Sequence, residues 1–201
     1  WALAGVRLNA LDKQKQLHYF QLKSVESKLW LSRESNTLIF SEIKKQMYLF
    51  LKAVWDLDVS LRESITESEI NGIQHASFGN GLIFLPTSFP DIEGVTNDQT
   101  FLSCVAHIGA HIRYSGPQFL LEKRKPIQLV VSSIIEDARI EHLAMKDFPG
   151  LKHFWLPYHK VETSTILSAP NLIERLSRAL IDDEYSDDNY WVIKGKKLFF
   201  D

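Results

Sequence analysis

A single cysteine among 201 residues, Cys104, leaves the chain without an internal disulfide. That absence excludes the stapled secreted scaffolds and points to a reducing, cytoplasmic setting. An excess of either charge is missing too: 23 Lys and Arg stand against 25 Asp and Glu, a net of -2, so no broad field draws the chain to nucleic acid or to an anionic membrane. Partner choice falls to local surface. No apolar run approaches the roughly 20 residues needed to cross a bilayer, and the longest candidates are interrupted by Lys44, Lys45 and Lys52. A membrane span is therefore not expected. Repeats and low-complexity tracts are lacking, as are a phosphate-cradling Gly-rich loop, a Gly-x-Ser-x-Gly elbow and a Cys-x-x-Cys pair. The start, Trp1-Ala2-Leu3-Ala4-Gly5, has neither an initiator methionine nor a basic-then-apolar leader, and the end, Leu198-Phe199-Phe200-Asp201, is abrupt. The expectation is a piece of a longer polypeptide.

What is present is enough to build a core, since 45% of the residues are hydrophobic. Apolar residues recur at helical spacing over 12–31 (Leu17, Phe20, Leu22, Val25, Leu29) and again over 41–58 (Ile43, Met47, Phe50, Leu51, Val54, Trp55), which predicts two helices able to pair as a hairpin. Residues 60–71, with three Glu and three Ser, read as a connector or a surface helix. Asn80-Gly81 between extended runs is the strongest short-range signal for a β-hairpin. A third helix is expected over 98–113, capped by Thr96 or Asn97, and a fourth from Pro126 to about 148. That fourth helix is apolar on opposite faces and should be central. After an aromatic loop at 152–159 comes a fifth helix over 171–181, and then an acidic run, 182–188, expected to be solvated. The fold class is mainly α: a multi-helix bundle with one small β-hairpin, or a variant of it with a degenerate zinc-peptidase-like helical core. The organisation reads as an N-terminal helical hairpin over 1–60 and a helical core with the hairpin over 72–201, packed together as one domain. The basic cluster Glu122-Lys123-Arg124-Lys125 is short and precedes Pro126, so it reads as an exposed turn.

The residues with chemistry lie on the third and fourth helices. His107 and His111, four apart, project from one side of a helix at the spacing zinc peptidases use to chelate a metal. The position after the first histidine, where the His-Glu-x-x-His motif carries its water-activating glutamate, is Ile108. Without that base, proton transfer loses about a hundredfold to ten-thousandfold, so an enzyme is not expected. Glu136 falls on the far side of the fourth helix, about 180° from Ile127. A buried carboxylate there must meet a cation, either a basic side chain such as Arg139 or Arg113, or a metal shared with His107 and His111, zinc being the candidate ion. Cys104 reads as core. Asp137 and Glu141, beside Arg139 and His142, read as an ion-paired helix surface, with a docking role as the sharper alternative. Trp155, Tyr158, His153 and His159 read as a core plug, or, if exposed, as a binding hot spot. A metal-dependent hydrolase in which His107, His111 and Glu136 hold zinc and Glu141 or Asp137 serves as base is the competing reading, and a metal kept purely for structure is the third.

Four stretches carry a resemblance: Gly81-Leu82-Ile83-Phe84-Leu85-Pro86; Ala106-His107-Ile108-Gly109-Ala110-His111-Ile112-Arg113; Ile135-Glu136-Asp137-Ala138-Arg139-Ile140-Glu141; and Phe148-Pro149-Gly150-Leu151 with Trp155-Leu156-Pro157-Tyr158-His159. Together they resemble the N-terminal region of the NorD and CbbO type proteins, which carry a von Willebrand factor A domain at the other end. The resemblance implies a non-catalytic, chaperone-like adaptor that works with a hexameric MoxR-type AAA+ ATPase in enzyme activation, maturing a client metalloenzyme of the Rubisco or nitric oxide reductase type. It requires no cofactor of the adaptor itself. The von Willebrand A signature is absent from this sequence. As anchoring residues for protein-protein interaction, the expectation names Asp137, Arg139, Glu141, Trp155, Tyr158 and His159.

Overall fold

The structure, a computed structural model, describes residues 2–35, 38–64, 76–90, 92–116, 125–161 and 168–201. It is mainly helical with one small sheet, and it divides into two compact units, Trp1–Cys104 and Val105–Asp201. Among the described residues no helix is long and apolar enough to cross a membrane. The boundary falls inside a helix, so the β-hairpin groups with the N-terminal helices rather than with the later ones.

In the first unit α1 (Ala2–Leu8) packs on α2 (Lys13–Phe20), and α2 on α3 (Val25–Ser35). The single helix expected over 12–31 is thus two. Leu22 takes a left-handed conformation (φ 57°), the N–H of Leu22 bonds to Tyr19 O and that of Lys23 to His18 O, which is the Schellman ending of a helix. Ser24 then opens α3, its hydroxyl accepting the Ser27 N–H at 3.1 Å. Gly5 allows α1 to lie against Tyr19, because a Cβ there would come within 2.4 Å of the Tyr19 ring. The next helix, α4 (Phe40–Trp55), buries Phe40, Ile43, Met47 and Leu51 as its period predicts, and starts one residue before Ser41.

The segment expected to be a connector or a surface helix begins instead as a strand. β1 (Ser60–Glu63) runs parallel to β3 (Leu82–Leu85), and β2 (Ser77–Gly79) pairs antiparallel with β3, giving the order β1-β3-β2. Residues 65–71 of that segment lie outside the described residues. The hairpin turn is Asn80-Gly81, both at positive φ (51° and 74°), which matches the twist of the strands it joins. Central β3 buries Ile83 and Leu85, and β1 contributes Leu61. Lys28 of α3 reaches β1 through a 2.7 Å ion pair with Glu63, which also accepts the Thr87 hydroxyl.

Helix α5 (Asn97–Tyr114) follows the Thr96 turn, where the Thr96 N–H donates to the Gln99 side chain at 3.1 Å. Its residues from Val105 onward belong to the second unit, with α6 (Pro126–Asp147), the short α7 (Lys152–Trp155), α8 (Ala169–Ile181) and α9 (Tyr190–Phe200). Helix α8 packs on both α6 and α9, around Ala138, Leu176 and Leu180. The expectation that α6 is covered on both sides fails in its first half: Ile127, Val130 and Ile135 are exposed, and full burial begins at Ala138. The aromatic loop is ordered as two short 3-10 turns flanking α7. Acidic residues 182–188 are not simply solvated. Asp182 and Asp187 are buried against Arg178 and Arg175, and Asn189 then caps α9 by accepting the Trp191 N–H at 2.9 Å. The basic turn at 122–124 lies outside the described residues.

Candidate metal centre

Two helices face each other with matched pairs, His107 and His111 on α5, Asp137 and Glu141 on α6, each four residues apart and so on one side of its helix. The imidazoles meet edge to face, centroids 4.8 Å apart. His107 Nε2 and His111 Nε2 are 3.2 Å apart. Asp137 Oδ1 lies 3.1 Å from His111 Nε2 and 3.7 Å from His107 Nε2. A tetrahedral zinc ion bonded at about 2.0–2.1 Å separates its ligand atoms by about 3.3 Å, so the three donors already stand at the edges such an ion needs. The three side chains are between 31% and 43% exposed, which leaves the remaining direction open to water.

The outer nitrogens decide where the lone pairs point. His107 Nδ1 is 2.8 Å from Glu141 Oε1, and a carboxylate only accepts, so Nδ1 carries the proton. His111 Nδ1 is 3.0 Å from Ser115 Oγ, and the Ser115 hydroxyl donates to Glu136 Oε1 at 2.8 Å, so the serine accepts from Nδ1–H. Hydrogen-bond assignment therefore aims both Nε2 lone pairs inward, at each other and at a carboxylate oxygen. Three such atoms at these distances repel unless a cation stands between them, either a metal ion or a proton. Burial pulls the His107 pKa down, but the Glu141 hydrogen bond and the charges of Glu141 and Asp137 outweigh it and leave the imidazole above its usual 6.5. The site calls for positive charge at its centre.

Behind His107, Glu141 is 5% exposed and also faces His159, whose Nε2 is 3.8 Å from Glu141 Oε2. Burial, only partly offset by Glu141, holds His159 below its usual pKa, and its Nδ1 meets Ser177 Oγ at 2.9 Å. Arg178 fixes that corner by donating to the carbonyls of His159 and Leu156. Trp155 is buried with its ring edge-on to His107, centroids 6.5 Å apart, so it takes the core-plug alternative rather than that of an exposed anchor. Tyr158 is half-buried.

Of the residues singled out in the sequence, the structure brings His107, His111, Asp137, Glu141 and His159 together. Glu136 is placed differently. Arg139 holds it with two hydrogen bonds of 2.8 Å and donates also to Tyr114 O, so Glu136 joins the cluster through Ser115, as a support to His111. Arg139 bonded to Glu136 is the first of the two alternatives the sequence leaves open. The Cys104 thiol is pushed up to about 12 by burial and stays protonated. Sequence reasoning passes over Ser115, Ser177 and Asp137 as a ligand. The signal for Asp137 is its spacing with Glu141, which mirrors the histidine pair.

Comparison with family models, curated proteins and solved structures gives no match for this chain. Fold and site together define a mainly helical protein whose second unit carries a two-histidine, one-carboxylate cluster.

Proposed function

We propose that the second unit is a metal-binding domain, in which His107, His111 and Asp137 hold one divalent transition-metal ion, zinc by donor type, with water at the remaining position. The observation that carries this reading is the convergence of three lone-pair atoms within 3.1–3.7 Å while both outer nitrogens are already committed as donors. Glu141 and the Ser115–Glu136 pair act from behind, fixing the tautomer and orientation of each ring. Zinc held there links α5 to α6 and adds its binding free energy to folding. The nearby carboxylates all have other tasks: Asp137 in the ligand set, Glu141 on His107, Glu136 on Arg139. Ile108, buried, stands where a zinc peptidase carries its base. Although the water position is open, no carboxylate is left to act as its base, so the ion is read as holding α5 to α6 and serving recognition rather than hydrolysis.

The likeness to the NorD and CbbO type proteins adds the biological half of the reading: an adaptor between a MoxR-type AAA+ ATPase and a client metalloenzyme. What favours it is that three of the four resembling stretches meet at the site. One supplies both imidazoles, one supplies Glu136, Asp137 and Glu141, and the last sets Trp155 against His107 and His159 beside Glu141. Calorimetric titration of metal-free, tag-free protein with zinc tests the metal half. One site is expected in the wild type, weakened at least about a hundredfold in His111→Ala and Asp137→Ala and at most about tenfold in Glu136→Gln. Loss in Glu136→Gln with binding kept in Asp137→Ala would move the ligand to Glu136, and no binding by wild type would leave a proton as the bridging cation.

A further inference from the structure

The second unit has a further surface feature outside the histidine cluster. Between α6 and α9 runs an open trough of about 610 Å³, floored by α8. Its walls are Val131 and Ile135 on one side and Trp191 and Leu198 on the other, above Leu176 and Leu180. Gly195 lets α9 lie directly on the floor, since a Cβ there would come 2.7 Å from Leu176 Cδ1. Leu198 is 70% exposed, and Ile127, one turn before Val131 on α6, is exposed as well. An open trough lined mainly by apolar side chains on a folded unit is the form a binding groove takes.

The charges choose the occupant. Among the described residues the charged side chains lining the trough are both cations, Arg139 and Lys194. Glu136 neutralises Arg139, whereas Lys194 lies over the Tyr190 ring at 5.7 Å. Helix α9 contains no acidic residue from Tyr190 to Phe200 that would offset Lys194. The shape is two helical ridges over a helical floor, which takes a third helix laid lengthwise. A bilayer would instead favour apolar side chains on a protruding, convex face. We infer that this trough docks an acidic amphipathic helix of a partner protein, its apolar stripe resting on Leu176 and Leu180 and a carboxylate meeting Lys194.

Fluorescence anisotropy on the full chain tests this with two labelled helical peptides about five turns long. Both carry leucines at i, i+3, i+4 and i+7, one flanked by glutamates and the other by lysines. The acidic peptide is expected to bind at least about tenfold tighter than the basic one. Leu198→Asp and Ile135→Asp, both at exposed positions, should weaken it at least about tenfold with unchanged far-UV circular dichroism, and Lys194→Glu should reverse the preference. Equal binding of the two peptides, or binding indifferent to Leu198→Asp, would overturn the proposal. So would Leu198-dependent association with phosphatidylcholine–phosphatidylserine vesicles in the absence of peptide binding, which would make the trough a lipid contact.

Discussion

At the scale of single residues, the site turns on which groups are donors. Glu141 only accepts, and by holding the proton of His107 on Nδ1 it leaves the other nitrogen with a lone pair aimed at His111 and Asp137. Glu141→Gln keeps the shape but loses that certainty, because its amide can donate to Nδ1 and favour the wrong tautomer. Zinc affinity should fall about 10–100-fold, read by competition with a chromogenic chelator. An unchanged affinity would show that Glu141 does not orient His107. The histidine pair was legible in the sequence because four-residue spacing on a helix is a geometric fact. The carboxylate that joins them was not, since both Glu136 and Asp137 are carboxylates one residue apart, and a rotation of about 100° between them decides which meets the imidazoles. Arg139 settles it by taking Glu136 with two parallel bonds. A second residue-level consequence concerns acid. Burial raises the Asp187 pKa, but hydrogen bonds from Arg175, Tyr185 and the Asn189 N–H outweigh it, so the folded value lies below the ordinary 3.8. A depressed carboxylate contributes stability that is complete above the ordinary value and is lost as pH falls through the lower one. Urea midpoints measured from pH 6 down to 3 should decline at the acid end in the wild type. Asp187→Asn should start lower and decline less, and parallel curves would contradict the assignment.

At the scale of elements, the helices with long 3.6-residue patterns, α4, α5, α6 and α8, were readable with small shifts at their ends. The breaks between elements were harder to read. The pattern over 12–31 continues through Leu22 as if unbroken, and only the left-handed backbone there shows the stop. Nothing in a leucine announces that conformation, although Ser24 is a cap signal in plain view. An L-residue at that angle costs about 1–2 kcal/mol. Leu22→Gly should therefore stabilise the protein by about 0.5–1 kcal/mol, seen as a higher urea midpoint at constant slope. A fall would mean that the exposed leucine side chain contributes more than the strain removes. Strand β1 escaped because four residues carry too little alternation, and its place beside β3 depends on a parallel partner some 20 residues on. Helix α9 escaped for the opposite reason: it is apolar around much of its circumference and keeps Tyr190, Trp191, Leu198 and Phe200 exposed, so no clean stripe appears.

At the scale of the whole molecule, the spacing of apolar residues gave the mainly helical class, and the lack of a long apolar run gave no membrane-crossing helix; the structure bears out the first, and the second among the described residues. The grouping of elements was less visible, since the division at Cys104 lies within a continuous helix that no linker signal marks. An ion bound only by the folded chain stabilises it by mass action, by about 2.7 kcal/mol at a hundredfold excess over the dissociation constant. A chelator should accordingly lower the melting temperature of the wild type and leave that of His107→Ala/His111→Ala unchanged. The most direct measurement is the metal content of tag-free protein by mass spectrometry of the elements. About one equivalent of zinc per chain is expected in the wild type and a trace in His111→Ala. Wild type that carries no metal and acquires none from micromolar zinc would contradict the metal-binding reading, leaving the paired imidazoles bridged by a proton.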